Sequence, residues 1–145
     1  RMTQPWRFVV FQEEAKRQAA MENLIAAYQA QGGTPMPDLK QAKLRKRALT
    51  SGAILAIVMH RDSGKSVPEW EEIAATAMAV QNMWLMTTEL GLGGYWSSPS
   101  LIEQMPKFLP MKKEEKCLGF FYVGNFEGQI SKGNRQPIDD KVTWL

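Results

Sequence analysis

A single cysteine, Cys117, and a single histidine, His60, bound the chemistry that the side chains of this chain can perform. Two such residues cannot build a transition-metal cluster, and one cysteine cannot close an internal disulfide. His60 ends the apolar run Ala53–His60 with no carboxylate or cysteine at useful spacing, so it reads as a surface residue. Cys117 opens another apolar run and reads as a small, inert hydrophobe. There is no phosphate-binding loop, no nucleophile elbow and no HExxH pair. Gly91-Leu92-Gly93-Gly94 follows a helical pattern rather than a strand, which is the wrong context for a dinucleotide fingerprint. With no activated nucleophile and no acid–base pair, covalent chemistry on this chain requires a borrowed organic cofactor. The other concentration of functional groups is basic. Lys40, Lys43, Arg45, Lys46 and Arg47 place five cations within eight residues, but no aromatic side chains interleave to stack bases, so the run reads as a solvated helix face.

The elements that must position any site are organised around residues 67–98. No charged side chain occurs between Glu72 and Glu89, and Ile73, Ala77, Val80, Trp84 and Thr87 or Met83 recur near the helical period. The remaining faces carry Ala74, Ala75, Met78, Ala79, Leu85 and Met86, so this helix must be covered on more than one side. Ser66 and Glu69 have capping-box spacing, Pro68 suits a first turn, and Gly91 suits the stop. Gln81, Asn82 and three threonines interrupt the run, and acidic residues close both ends, which argues against a membrane span.

Trp6–Phe11, Ala53–His60 and Cys117–Gly124 read as strands, the last two buried on both faces, and Gly93–Ser98 as a short one. Residues 12–31 read as a helix closed by Gly32-Gly33, followed by a loop with two prolines and a basic helix that Asp38 can cap. Ser100 and Glu103 suggest a second capping box for a short helix ended by Pro106. The tail ends in Val142-Thr143-Trp144-Leu145, a strand-like segment expected to dock on its own chain or on a neighbouring subunit. The alternation predicts a mixed sheet flanked by helices, an α+β (α/β sandwich) fold of one domain. At 145 residues, with 44% hydrophobic and 23% charged content and net charge +3, the chain is ordinary globular protein. The lone cysteine suggests a reducing, cytoplasmic compartment, and the sequence contains no signal peptide or lipidation motif.

Four segments occur together in an informative order: Thr3-Gln4-Pro5-Trp6-Arg7-Phe8-Val9-Val10, Val80-Gln81-Asn82-Met83, Gly91-Leu92-Gly93-Gly94-Tyr95-Trp96-Ser97-Ser98, and Leu118-Gly119-Phe120-Phe121-Tyr122-Val123-Gly124. In order and spacing they resemble the FMN-dependent nitroreductase family. Lys65-Ser66-Val67-Pro68-Glu69-Trp70-Glu71 is also similar to the segment before the central helix in its YdjA-like small single-domain branch.

The resemblance implies a domain-sharing homodimer with FMN at the interface, the central helices packed together and a C-terminal arm around the partner. It implies an NAD(P)H-dependent flavoenzyme that passes a hydride through flavin N5 to a nitro compound, quinone or similar small-molecule acceptor, with no nucleic acid, membrane or metal involved. By the same resemblance Trp96, Ser97 and Ser98 line the flavin, Met86 and Gly91 stand near the nicotinamide region, Lys132 and Arg135 meet the FMN phosphate, and Arg1 precedes a loop facing the flavin. No protein side chain is expected to do the covalent chemistry. The family opens on a helix with Arg-Arg-Ser that grips the phosphate; its counterpart is expected before Arg1, so residues 1–145 form a nitroreductase-like domain lacking that helix. Two rival readings are a non-catalytic or weakly flavin-binding dimer on the same fold, and a basic-surface protein for nucleic acid.

Overall fold

A computed structural model describes residues 2–128 and 133–145. Arg1 and Lys132 lie outside the described residues. Four strands form one sheet in the order β1-β2-β4-β3, where β1 is Trp6–Phe11, β2 Ala53–His60, β3 Leu92–Ser97 and β4 Glu115–Asn125. The α+β expectation holds, but all three pairings among the described residues are antiparallel, where a mixed sheet was expected. Val142–Leu145, anticipated as a strand, pairs with no described strand and is exposed.

Helices cover both faces. On one face lie α1 (Glu14–Gly32), α2 (Asp38–Thr50) and a 3-10 helix, Ile102–Lys107. Met21, Leu24, Ala48 and Met105 close there over Ile54, Ala56 and Phe120. Arg17 is the polar member of this layer: it donates to Ala48 O at 2.8 Å and to the carbonyls of Gln12 and Gly52. Its guanidinium thereby joins both helix ends to the entry of β2, satisfying carbonyls that burial would otherwise strand. On the opposite face α3 (Glu69–Glu89) covers Ile57 and Phe121 through Val80, Met83 and Trp84.

Several local expectations require correction. Ser66 does not cap α3: its hydroxyl donates to Asp62 at 2.7 Å, and Pro68 occupies the N-cap without a side-chain bond. Neither Asp38 nor Ser100 caps, since Asp38 is the first residue of α2 and Leu101 precedes the 3-10 helix. Pro106 lies inside that helix rather than ending it, because its missing N–H is affordable in so short a segment. The stops are as read, with Gly33 and Gly91 at φ 64° and 70°.

The buried stripe of α3 also differs from the apolar period. Glu72, Thr76, Val80 and Thr87 face inward, while Ile73, Met78, Leu85 and Met86 face out. Glu72 is tolerated in the interior because Arg61 pairs with it and the Asp62 N–H donates to it at 3.0 Å. Thr76 returns its hydroxyl to Glu72 O at 2.9 Å.

Candidate active site

The end of β3 is set by an irregularity in its neighbour. Along β4, Cys117 and Gly119 oppose the adjacent β2 residues Val58 and Ile57, so Leu118 is an extra residue, a β-bulge. Gly119 has φ 137°, which a side chain rarely adopts, and a Cβ there would stand 2.5 Å from Ser97 O and 2.6 Å from Trp96 Nε1. The bulge leaves the Leu118 carbonyl free to accept the Trp96 indole N–H at 3.2 Å. Trp96 pairs with Phe121 and turns to the α3 face, while Ser97 pairs with Phe120 and turns to the α2 face. Among the described residues, the Ser97 and Ser98 hydroxyls make no hydrogen bond, leaving two donors and acceptors at the strand end for a ligand.

The Gln-Pro-Trp segment enters the same end of the sheet from the far edge. Gln4 has φ 46°, a strained value for a residue with a side chain, and the Pro5 carbonyl accepts from His60 N at 2.7 Å. Pairing makes Ser97 level with Val9, through Phe120 and Ala56. Three strand spacings, about 14 Å, separate the two edges. A single chain therefore does not close a pocket around both segments.

Beside this entry Glu115 is buried, its side chain 1% exposed. Arg7 grips it at 2.6 and 2.7 Å, and the Lys112 N–H donates to it at 2.7 Å. Burial pushes its carboxyl up, but the Arg7 hydrogen bond, the Lys112 N–H and the nearby charges outweigh this and hold it below the usual carboxylate range. His60 Nδ1 lies 3.6 Å from the same carboxylate. The expectation that His60 has no carboxylate partner is thus corrected: the partner is 55 positions away in the chain and adjacent in space. Cys117 is inert as expected, since burial pushes its thiol up to about 11.

The remaining candidates are not brought together. Gly91 precedes β3 at the opposite end of that strand from Ser97, about 17 Å along a six-residue strand, and Met86 lies one turn before it at the C-terminal end of α3. Arg135 lies exposed in irregular chain and makes no ion pair among the described residues. A groove of about 300 Å³ flanks the start of β3 between Thr50-Ser51, Gly93-Gly94 and Val123–Phe126, and among the described residues no charged side chain lines it. Gln4 and Gly119, met in the sequence only within longer segments, are added as candidates by this geometry. Their signals were a polar residue before a proline and a glycine inside an apolar strand.

Among the described residues no helix is long and apolar enough to cross a membrane, and no group of potential ligands could hold a metal ion. The nitroreductase family model matches residues 2–125. YfhC of Bacillus subtilis, which carries the name NAD(P)H nitroreductase, is 26% identical over 99% of this chain and 74% of its own length. A nitroreductase-like protein of Bacillus cereus superposes with TM-score 0.78 at 22% identity, over all of this chain and 75% of that one. A Desulfovibrio desulfuricans structure in complex with FMN gives 0.66 at 20% identity, over 98% and 73%. At such identities the solved structures establish a shared fold, while the family match extends from the Gln-Pro-Trp entry to the end of β4. The chain belongs to the nitroreductase family.

Proposed function

We propose that this chain is an FMN-dependent oxidoreductase acting as a homodimer, taking electrons from NADH or NADPH and delivering them to a nitro compound, quinone or similar acceptor. The observation that carries the reading is the bulge-fixed end of β3, where Trp96 is held by Leu118 O and the half-buried Ser97 and exposed Ser98 keep unpaired hydroxyls. The Ser98 hydroxyl and the backbone at Ser97 fit the heteroatom edge of a flavin ring, at which negative charge gathers on reduction. When bound, FMN supplies the acceptance and onward delivery of a hydride at its N5 position. The chain's own residues bind and orient: Trp96 gives a rigid wall, the Ser98 hydroxyl and the Ser97 backbone offer hydrogen bonds, and Lys132 and Arg135 would meet the phosphate. Gln4, in the loop before β1, would face the ring, with Arg1, outside the described residues, proposed beside it. Activity of this kind needs no catalytic side chain from the protein.

Dimerisation supplies what one chain lacks. Trp70, Ile73, Met78, Leu85 and Met86 leave α3 with an exposed apolar flank, from 38% to 67% accessible, along a 21-residue helix. Isologous packing about a twofold axis perpendicular to α3 runs two such helices antiparallel. One copy's Met86–Gly91 segment is then carried toward the Ser97 end of the other, which accounts for their separation within a single chain. The exposed Val142, Trp144 and Leu145 are the arm that reaches across. Leu85→Glu should convert the dimer to monomer in sedimentation while leaving the far-UV spectrum unchanged. A variant that sediments as the parent does would remove α3 from the interface.

Purified protein given FMN should retain it through gel filtration, absorb as a flavoprotein, and bleach under anaerobic NADH or NADPH. Colourless protein that FMN cannot reconstitute supports the non-catalytic dimer instead.

A further inference from the structure

Away from the α3 interface, α2 stands over the end of β3 and leaves a pocket of about 180 Å³. Lys40, Lys43 and Arg47 recur at helical spacing and line one wall, while Ser97 lies on the other. The floor is apolar, with Leu24 and Met36 each 1% exposed. Among the described residues no acidic side chain lines the pocket. Among the described residues none of the three cations is in an ion pair. Arg45, which points away, takes the nearby Glu22 at 2.7 Å. Lys40 and Arg47 instead lie over tyrosine rings, Tyr28 at 4.8 Å and Tyr95 at 4.9 Å, which fixes their stems without neutralising their charge. Three cations on one wall repel one another, and an anion between them relieves that cost. The volume sets the size of the occupant. At about 180 Å³ the pocket has room for one substituted ring.

We propose that the pocket between α2 and the end of β3 binds a small organic anion, a carboxylate or phosphate group carried on an apolar body of single-ring size. The charged group meets Lys40, Lys43 and the Ser97 hydroxyl, and the ring lies over Leu24 and Met36. This site stands whether or not flavin occupies the other face of β3, because Trp96 and Ser97 point to opposite sides of the sheet.

Benzoate, phenyl phosphate and the neutral benzyl alcohol, titrated into the 145-residue chain without flavin and followed by amide NMR shifts, test it. Benzoate or phenyl phosphate should bind about tenfold or more tighter than benzyl alcohol, the effect of a charge-assisted hydrogen bond. Their relative strength identifies which acid the wall prefers. Shifts should centre on Met36, Leu44, Ser97 and Leu101. Lys40→Gln with Lys43→Gln, both exposed and helix-compatible, should weaken the anions about tenfold, whereas Lys46→Gln on the same helix should not. Equal binding of anion and alcohol, shifts centred elsewhere, no binding, or equal losses in the two variants would each overturn the proposal. The comparison of probes decides the matter even if the double variant fails to fold.

Discussion

Glu115→Ala should lower stability by about 3 kcal/mol, or roughly 10 °C in melting temperature for a chain of this length. The carboxylate has a 1% exposed side chain and is the common acceptor for Arg7 and the Lys112 N–H. Deleting it leaves an arginine and a backbone donor facing a hole. Arg7 is 37% exposed and can recover some hydration, which keeps the cost near the low end for a broken buried pair. Glu115→Gln separates charge from shape. The folded-state carboxyl lies below its unfolded value, so its stabilisation is present above the unfolded pKa of about 4.3 and is lost as pH falls through the folded value. The parent should therefore lose stability more steeply than the Gln variant on acidification below about pH 4.5. Parallel acid limbs would show that the charge contributes nothing. The same variant tests the site, because Arg7 lies within β1 just after the strained Gln4. If the ion pair anchors this entry, FMN retention should fall along with stability.

This cluster also shows where sequence reading stops. β1 and β2 are legible residue for residue, because WRFVVF is aromatic and β-branched apart from Arg7 and AILAIVMH is apolar up to His60. The partnership of Arg7 with Glu115 spans 108 positions, and no local pattern encodes it. The approach of His60 to Glu115 was illegible for the same reason, although its surface reading stands, its side chain being 42% exposed. α3 was legible as a helix but not in its orientation. A helix apolar on all sides does not announce which side meets its own sheet, and here the sheet takes the threonine side because Thr76 and Thr87 satisfy their hydroxyls on the preceding turn. At the candidate site, Trp96-Ser97-Ser98 emerged from family resemblance and not from chemistry, since two serines beside a tryptophan specify no reaction. What holds them in place is marked only by Gly119 inside the apolar run Cys117–Gly124, and that glycine does not say that the Leu118 carbonyl is freed for Trp96.

That bulge carries the second large effect, expected for Gly119→Ala. A Cβ at φ 137° is strained before any neighbour is considered, and the neighbours here are the Ser97 carbonyl at 2.5 Å and Trp96 Nε1 at 2.6 Å. The first is backbone of the adjacent strand and cannot swing aside. The methyl must either push β3 away from β4 or flatten the bulge, and either route breaks the bond from Trp96 to Leu118 O. The cost should be about 3 kcal/mol, at the upper end for an overpacked site. Its distribution is more telling than its size. A substitution that merely loosened the core would lower the melting temperature and leave the fluorescence maximum of the folded protein unchanged. Displacing the end of β3 also moves the Trp96 indole from a half-buried, hydrogen-bonded setting into water, so the emission of the still-folded variant should shift to the red. FMN retention should fall by more than the stability loss alone explains. Gly124→Ala, whose Cβ would lie 3.0 Å from Gly52 N at the other end of the same strand, is the matched control. It strains the sheet far from Trp96 and should destabilise without the red shift or the disproportionate loss of flavin. If both variants behave alike, the bulge is a packing feature of β4 and not the device that sets the site.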